Sequence, residues 1–275
     1  MGIQLVVFDV DGTLLHTGER LADATAERIA ALVGTGAQLA LASARPTESL
    51  RLVRDQIGVP MHLVGFNGAE VLHADDTPVR EVGFAIEGRL AAALANFVAA
   101  GGSAINVYCS DGRWLGIGTK ELLDREEHDT WTKATQRVAN IRADQLLGLR
   151  VRKIMAEGDD RAIPEVRTAV ESVPGLVFTH SGMGLNDIWH VDSGKGNALV
   201  ALGKALKIPL SDVLAVGDSD TDVPMLMAAG TSIAVLPGAP DARAAATHSV
   251  RGAGSPELFK LVTRLIGRGT IPAQA

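Results

Sequence analysis

Short apolar runs alternate along this chain with longer stretches in which apolar residues recur every three or four positions. The first run, Leu5 to Phe8, reads as a buried strand. Leu21, Ile29, Leu32 and Val33 then mark one face of a helix from about Leu21 to Val33, which Gly34 and Gly36 stop. Leu39 to Ala42 is a second strand, a helix follows Pro46, and His62 to Val64 is a third strand. The alternation returns near the other end, with a helix from about Gly196 to Leu206, a strand at Val213 to Val216, a helix through Met225 and a strand at Ile233 to Leu236. Repeated strand–helix units of this kind predict an α/β protein with a parallel sheet, built from both ends of the chain.

The middle has a different rhythm. An alanine-rich helix, Leu90 to Ala100, precedes shorter alternating stretches at Ala104 to Tyr108, Leu149 to Ala156 and Leu176 to His180. Residues 1–82 and 188–275 are therefore expected to form the main domain, and residues 83–187 an α+β insert placed to act as a cap. Thr270 to Ala275 is expected to be frayed.

Composition narrows the function classes. Apolar residues make up 47% of the 275 residues, enough for a sizeable core, while aromatics are only 4%, so small side chains must pack the helices onto the sheet. A formal charge of −6 without a basic tract argues against nucleic acid or an anionic membrane surface as partner. Cys109 is the single cysteine, which excludes an internal disulfide and fits a reducing cytoplasm. No apolar run reaches the roughly 20 residues needed to span a bilayer, and the first residues lack the order of a signal peptide.

Three predicted strands end in polar residues where the apolar run stops: Phe8 into Asp9, Ala42 into Ser43, and Val216 into Gly217 and Asp218. Ligands of an open parallel sheet bind outside the carboxyl ends of its strands, so these segments can converge on one crevice. Asp9 and Asp11 stand two residues apart in Asp9-Val10-Asp11-Gly12-Thr13, and Asp218-Ser219-Asp220-Thr221-Asp222 adds further acid with no base beside it. Crowded carboxylates call for a cation, and hard oxygen ligands suit magnesium. Any one of these acids could instead cap a turn. A calcium loop is excluded because neither cluster has the glycine and terminal glutamate that such a loop needs. Ser43 can donate to a phosphate oxygen or cap a helix. Lys195 stands at the predicted start of a helix, where the macrodipole disfavours a cation; a bound anion would resolve the conflict, and a solvated lysine is the plainer alternative.

Asp9-Val10-Asp11-Gly12-Thr13, Ser43, Lys195 and Gly217-Asp218 with Asp222 resemble, in this order, the haloacid dehalogenase-like phosphatases. Asn67-Gly68-Ala69 and the insert of about a hundred residues are similar to the Cof-type branch. The resemblance implies a Rossmann-like three-layer core with an α+β cap that sets substrate specificity. It implies Asp9 as nucleophile and Asp11 as general acid and then base. Magnesium would be held by the Asp9 and Asp218 carboxylates and the Asp11 carbonyl, with Asp222 in the same metal set or orienting Lys195. Ser43 and Lys195 would bind phosphoryl oxygens, with Ala44, Asn67, Gly68 and Thr221 lining the phosphate pocket. Ala44 stands where the family commonly has glycine, Thr221 where it has asparagine, and Pro237-Gly238-Ala239 lacks an asparagine often found before that alanine.

The reaction so implied is hydrolysis of a small phosphomonoester, a sugar or cofactor phosphate, through an aspartyl phosphate. A phosphosugar mutase and a non-catalytic phosphometabolite-binding protein use the same constellation and are the alternatives. Dinucleotide binding is weaker, since Gly34-Thr35-Gly36 and Gly182-Met183-Gly184 lack the third glycine. Arg150, Arg152 and Lys153 read as a solvated strand face, Trp114, Trp131 and Trp189 as packing residues, and the seven histidines show no metal-ligand spacing.

Overall fold

A computed structural model describes residues 2–16, 18–101, 103–158, 163–180 and 184–267. The C-terminal Thr270 to Ala275, and Gly182 with Met183, lie outside the described residues. The elements begin with β1 (Leu5–Phe8), α1 (Asp23–Ala31), β2 (Gln38–Ala42), α2 (Thr47–Ile57), β3 (His62–Gly65), β4 (Glu70–Leu72) and β5 (Pro78–Glu81). The middle contributes β6 (Phe84–Ala85), α3 (Gly88–Ala99), β7 (Ala104–Cys109), β8 (Trp114–Gly118), α4 (Lys120–Thr130), β9 (Gln136–Val138), α5 (Ala143–Leu146), β10 (Arg150–Glu157), α6 (Ile163–Glu171), β11 (Leu176–His180) and β12 (Leu185–His190). The return consists of α7 (Lys195–Leu206), β13 (Val213–Gly217), α8 (Val223–Ala228), β14 (Thr231–Leu236), α9 (Pro240–Ala245), β15 (His248–Arg251) and α10 (Pro256–Gly267).

These elements form two compact units, residues 1–80 with 194–275 and residues 81–193. In the first, an eight-stranded sheet runs β15-β14-β13-β1-β2-β3-β4-β5. The pairings from β15 to β3 are all parallel, and β4 turns back antiparallel to β3. The α/β class read from the sequence is thus the fold observed. Leu5, Val6, Val7 and Phe8 are buried to 1% exposure or less, as a central strand covered on both faces requires. Leu5 and Val7 pack with Leu199 and Leu202 of α7 and with Met225 and Leu226 of α8, and each such side chain contributes about 1.5–3 kcal/mol by leaving water. The order β13-β1-β2-β3 has a consequence for chemistry. Four carboxyl ends from opposite halves of the chain stand side by side, about 4.8 Å apart from strand to strand.

In the second unit, the sheet runs β11-β12-β10-β7-β8-β9, with β6 on β10. One face is apolar: Ile105, Val107, Leu115, Ile117, Ile154 and Ile188 pack with Leu90, Leu94, Phe97, Val166 and Val170 of α3 and α6. The basic stretch at its centre differs from expectation. Arg152 and Lys153 are buried, not solvated. A register irregularity between Val151 and Lys153 breaks simple alternation there, and Arg152 donates to the Cys109 carbonyl while Lys153 meets Asp187 at 2.9 Å. Arg150 alone of the three is exposed.

Candidate active site

Asp9 follows β1 directly, its amide donating to the Val216 carbonyl of β13 at 2.8 Å. This tie places its side chain beside the loop after β13. There Thr13 Oγ1 donates to Asp218 Oδ1 at 2.9 Å, and Gly12, at φ +83°, brings its backbone against the same carboxylate. A Cβ at Gly12 would stand 2.3 Å from Asp218 Oδ2, so the close approach of the two loops demands glycine. From the other direction, Lys195 at the start of α7 donates to Asp9 Oδ1 at 2.6 Å and to Asp222 Oδ1 at 2.5 Å.

Lys195 is 2% exposed, which removes the solvated reading. Two carboxylates supply the negative charge that its place at a helix N-terminus calls for. Burial pulls the Lys195 ammonium down, but Asp222 and Asp9 outweigh it and hold the group above the ordinary lysine range. Asp222 is a hub: Oδ2 accepts from the amides of Asp218 and Ser219 and from Ser219 Oγ, at 2.8–3.0 Å, while Oδ1 takes Lys195. Both of its oxygens are thereby engaged. Asp9 is different, because Oδ2 is buried and has no hydrogen-bond partner.

One oxygen each from Asp9, Asp218 and Asp222 lies within 4.8 Å of the others, a grouping able to hold a metal ion. Burial first, and then Asp222, pushes the Asp9 carboxyl well above the usual carboxylate range in spite of Lys195. Burial likewise raises Asp218, against the Thr13 hydrogen bond. An orphaned buried oxygen and two carboxyls that resist ionising together fit a divalent cation, which would favour both charged forms.

Asp11 faces elsewhere. Its carboxylate forms a bidentate pair with Arg45, Nε to Oδ2 and Nη2 to Oδ1 both at 2.7 Å, and Arg45 Nη1 reaches Ser49 Oγ at 3.3 Å. Arg45 is 6% exposed, whereas the Asp11 side chain is about a quarter exposed. The sequence reading passed over Arg45 as a site residue. Its signal was position, two residues beyond the strand-end Ser43; its partner, 34 residues away, becomes visible only once β1 and β2 pair.

Ser43 does not cap α2, whose N-cap is Pro46; its Oγ accepts from the Arg45 amide at 3.2 Å. Asn67 is buried in the left-handed region at φ 55°, flanked by Phe66 at φ 50° and Gly68 at φ 92°, a strained run held by Asn67 N to Ser43 O and Gly194 N to Asn67 O. Asn67 Oδ1 has no partner. The Thr221 hydroxyl bonds Ser219 Oγ at 2.9 Å, and Ala44 is half-buried in the loop after β2.

A parallel sheet with acids, a serine and a buried lysine gathered at adjoining strand ends defines the class, and the chain belongs to the haloacid dehalogenase-like hydrolases, whose sequence profile matches residues 6–253. It is 25% identical over 239 residues to the 5-amino-6-(5-phospho-D-ribitylamino)uracil phosphatase YitU of Bacillus subtilis, spanning 84% of this chain and 86% of that one. It is 27% identical over 234 residues to the HMP-PP phosphatase of Cronobacter sakazakii, covering 84% and 83%. Among solved structures, a haloacid dehalogenase-like hydrolase from Bacteroides thetaiotaomicron superposes with a TM-score of 0.80 at 17% identity, covering 95% of this chain and 98% of that one. The subclass IIB sugar phosphatase BT4131 superposes with a TM-score of 0.77 at 18% identity over 95% and 98%. The chain is thus an enzyme of the hydrolase class, with the fold of these structures. Among the described residues, no helix is long and apolar enough to cross a membrane.

Proposed function

We propose that the protein is a magnesium-dependent phosphatase of small phosphomonoesters that works through an aspartyl phosphate on Asp9. One observation carries this reading. Lys195 holds Asp9 by one oxygen and leaves the other, buried and unpartnered, free to attack. In the first step Asp9 Oδ2 bonds to phosphorus as the ester P–O bond breaks, and Asp11 delivers a proton to the leaving oxygen. In the second, Asp11 takes a proton from water, the water oxygen bonds to phosphorus, and the Asp9–phosphorus bond breaks to release phosphate. Water thus replaces the alcohol, and both carboxyl groups return to their starting states.

Lys195, with Ser43 and the amides near Ala44, Asn67, Gly68 and Thr221, binds the transferring phosphoryl oxygens, and its fixed charge stabilises the transition state. Asp222 positions Lys195. Asp9 and Asp218, with the Asp11 carbonyl, would hold magnesium, which offsets the repulsion between nucleophile and phosphate when bound. Arg45 positions Asp11. The insert acts as the cap that selects the ester; its compact unit spans residues 81–193, wider than the 83–187 read from the sequence because β12 completes its sheet. The substrate is a small phosphorylated metabolite, as the names of the two curated relatives support. A cytoplasmic site accords with Cys109, a lone buried thiol. The test is release of inorganic phosphate from a panel of esters by the protein and by Asp9→Asn; turnover retained by the variant refutes Asp9 as nucleophile.

A further inference from the structure

A groove of about 620 Å³ runs between α1 and α10 in the first unit, and none of its lining residues belongs to the cluster of acids around Lys195. That volume lies within the range of roughly 300–1,000 Å³ typical of small-molecule sites. Leu32 and Phe259, both buried, form its floor, and Ala31 and Pro256 are exposed at its walls. Phe259 packs on Phe8 of β1 with ring centroids 6.2 Å apart, which anchors the floor to the sheet.

Charge sets this groove apart. Arg28 of α1 and Lys260 and Arg264 of α10 line it, and no acidic side chain does, although the protein as a whole carries a formal charge of −6. Among the described residues neither Arg28 nor Arg264 has an ion pair, and Lys260 reaches Glu257 only at 3.9 Å. Lys260 and Arg264 stand four residues apart on one helix, where like charges repel. The two hydroxyls of the lining are already engaged: Thr35 Oγ1 donates to the Leu32 carbonyl at 2.6 Å, and Thr263 Oγ1 to the Phe259 carbonyl at 2.8 Å. The side-chain donors left for a ligand are therefore cationic, and they stand over an apolar floor.

We infer that this groove is a binding site for a small amphipathic anion, an apolar chain that carries one carboxylate. The chain covers Leu32, Phe259 and the aliphatic stems of the basic residues, while Arg28 and Arg264 hold the carboxylate with guanidinium forks that match its two oxygens. Each half alone is a poor ligand. A bare anion at an exposed rim is screened by salt, and a neutral chain leaves the three cations repelling one another. A second copy of this chain is a worse occupant, because a two-fold contact centred on the groove sets cations against cations. The site is independent of the proposed reaction, since no residue that lines it takes part there.

The experiment titrates the full chain with octanoate and follows backbone amide chemical shifts, with 1-octanol as the matched neutral chain and acetate as the bare anion. Octanoate is expected to bind with a Kd on the order of 1 mM or below, to shift amides of α1 and α10, and to bind at least about tenfold more tightly than either control. Arg28→Gln combined with Arg264→Gln is expected to reduce octanoate to the level of 1-octanol, and Ala31→Trp, which fills the groove, to remove both. These three positions are half-buried or exposed, so the fold should survive, and thermal midpoints check that it does. Absence of saturable octanoate binding, equal affinity for octanoate and 1-octanol, shifts confined to other elements, or binding undiminished in the double variant would overturn the inference. So would a dimer of the unliganded protein in sedimentation that Ala31→Trp dissociates, which assigns the groove to a second copy.

Discussion

Two buried lysines, one in each unit, differ in how completely their carboxylate partners are withdrawn from water. Lys195 sits between Asp9 and Asp222, and Asp222 is saturated by four donors, so only the outer oxygen of Asp9 is left open. Lys153 Nζ lies 2.9 Å from Asp187 Oδ1, and the Asp187 side chain keeps 15% exposure. The first network is closed except at one atom, which suits a single bond-forming event. A buried charge is held by its partners in both cases.

The largest expected effect breaks the first network at its open atom. Asp9→Asn should lower phosphate release by a factor on the order of 10³ or more, the scale seen when an enzyme loses its nucleophile. Next comes the lysine comparison. Lys195→Met leaves Asp9 and Asp222 buried without their cation and should cost about 3–5 kcal/mol in denaturant unfolding. Lys153→Met should cost less, because the Asp187 side chain keeps 15% exposure and some access to water. Equal losses would refute the contrast.

Arg45→Lys keeps the charge but loses the planar fork, so Asp11 loses its fixed orientation. Turnover should fall about tenfold for alkyl phosphates, whose leaving oxygen needs a proton, and much less for p-nitrophenyl phosphate. Metal removal sharpens the carboxylate side of the comparison. With Asp9 and Asp218 held above the usual range, magnesium must displace protons, so its apparent affinity should rise with pH and titrations in weakly buffered solution should release acid. Saturation at a hundredfold over Kd should add about 2.7 kcal/mol of stability.

The smallest effect belongs to Glu126. Burial pushes its carboxyl up to about 7, against the Tyr108 hydroxyl and Lys153, so folding favours the protonated form. The stabilisation this gives is complete below the unfolded value near 4.5 and is lost as pH rises through about 7. Glu126→Gln should therefore flatten the decline of the unfolding midpoint between those two values, as thermal scans across pH would show.

The apolar period of the chain by itself determined the alternating strands and helices of the core, because a strand buried on both faces must be written in continuous apolar residues such as Leu5 to Phe8. It also marked Asp9, Ser43 and Asp218, since a polar residue that ends such a run lies at the mouth of a parallel sheet. Shorter elements were less legible: β8, β9, β12, β15 and helix α4 carry partial or mixed patterns that local periodicity does not separate from loops, whereas α10 shows Leu258, Phe259, Val262, Leu265 and Ile266 at helical spacing and was readable though passed over. The pairing of Arg45 with Asp11, the saturation of Asp222 and the burial of Arg152 and Lys153 were decided only by the tertiary structure. Each depends on which strands become neighbours and in what register. A charged residue reads the same in sequence whether water or another chain segment neutralises it, and only the folded chain chooses between them.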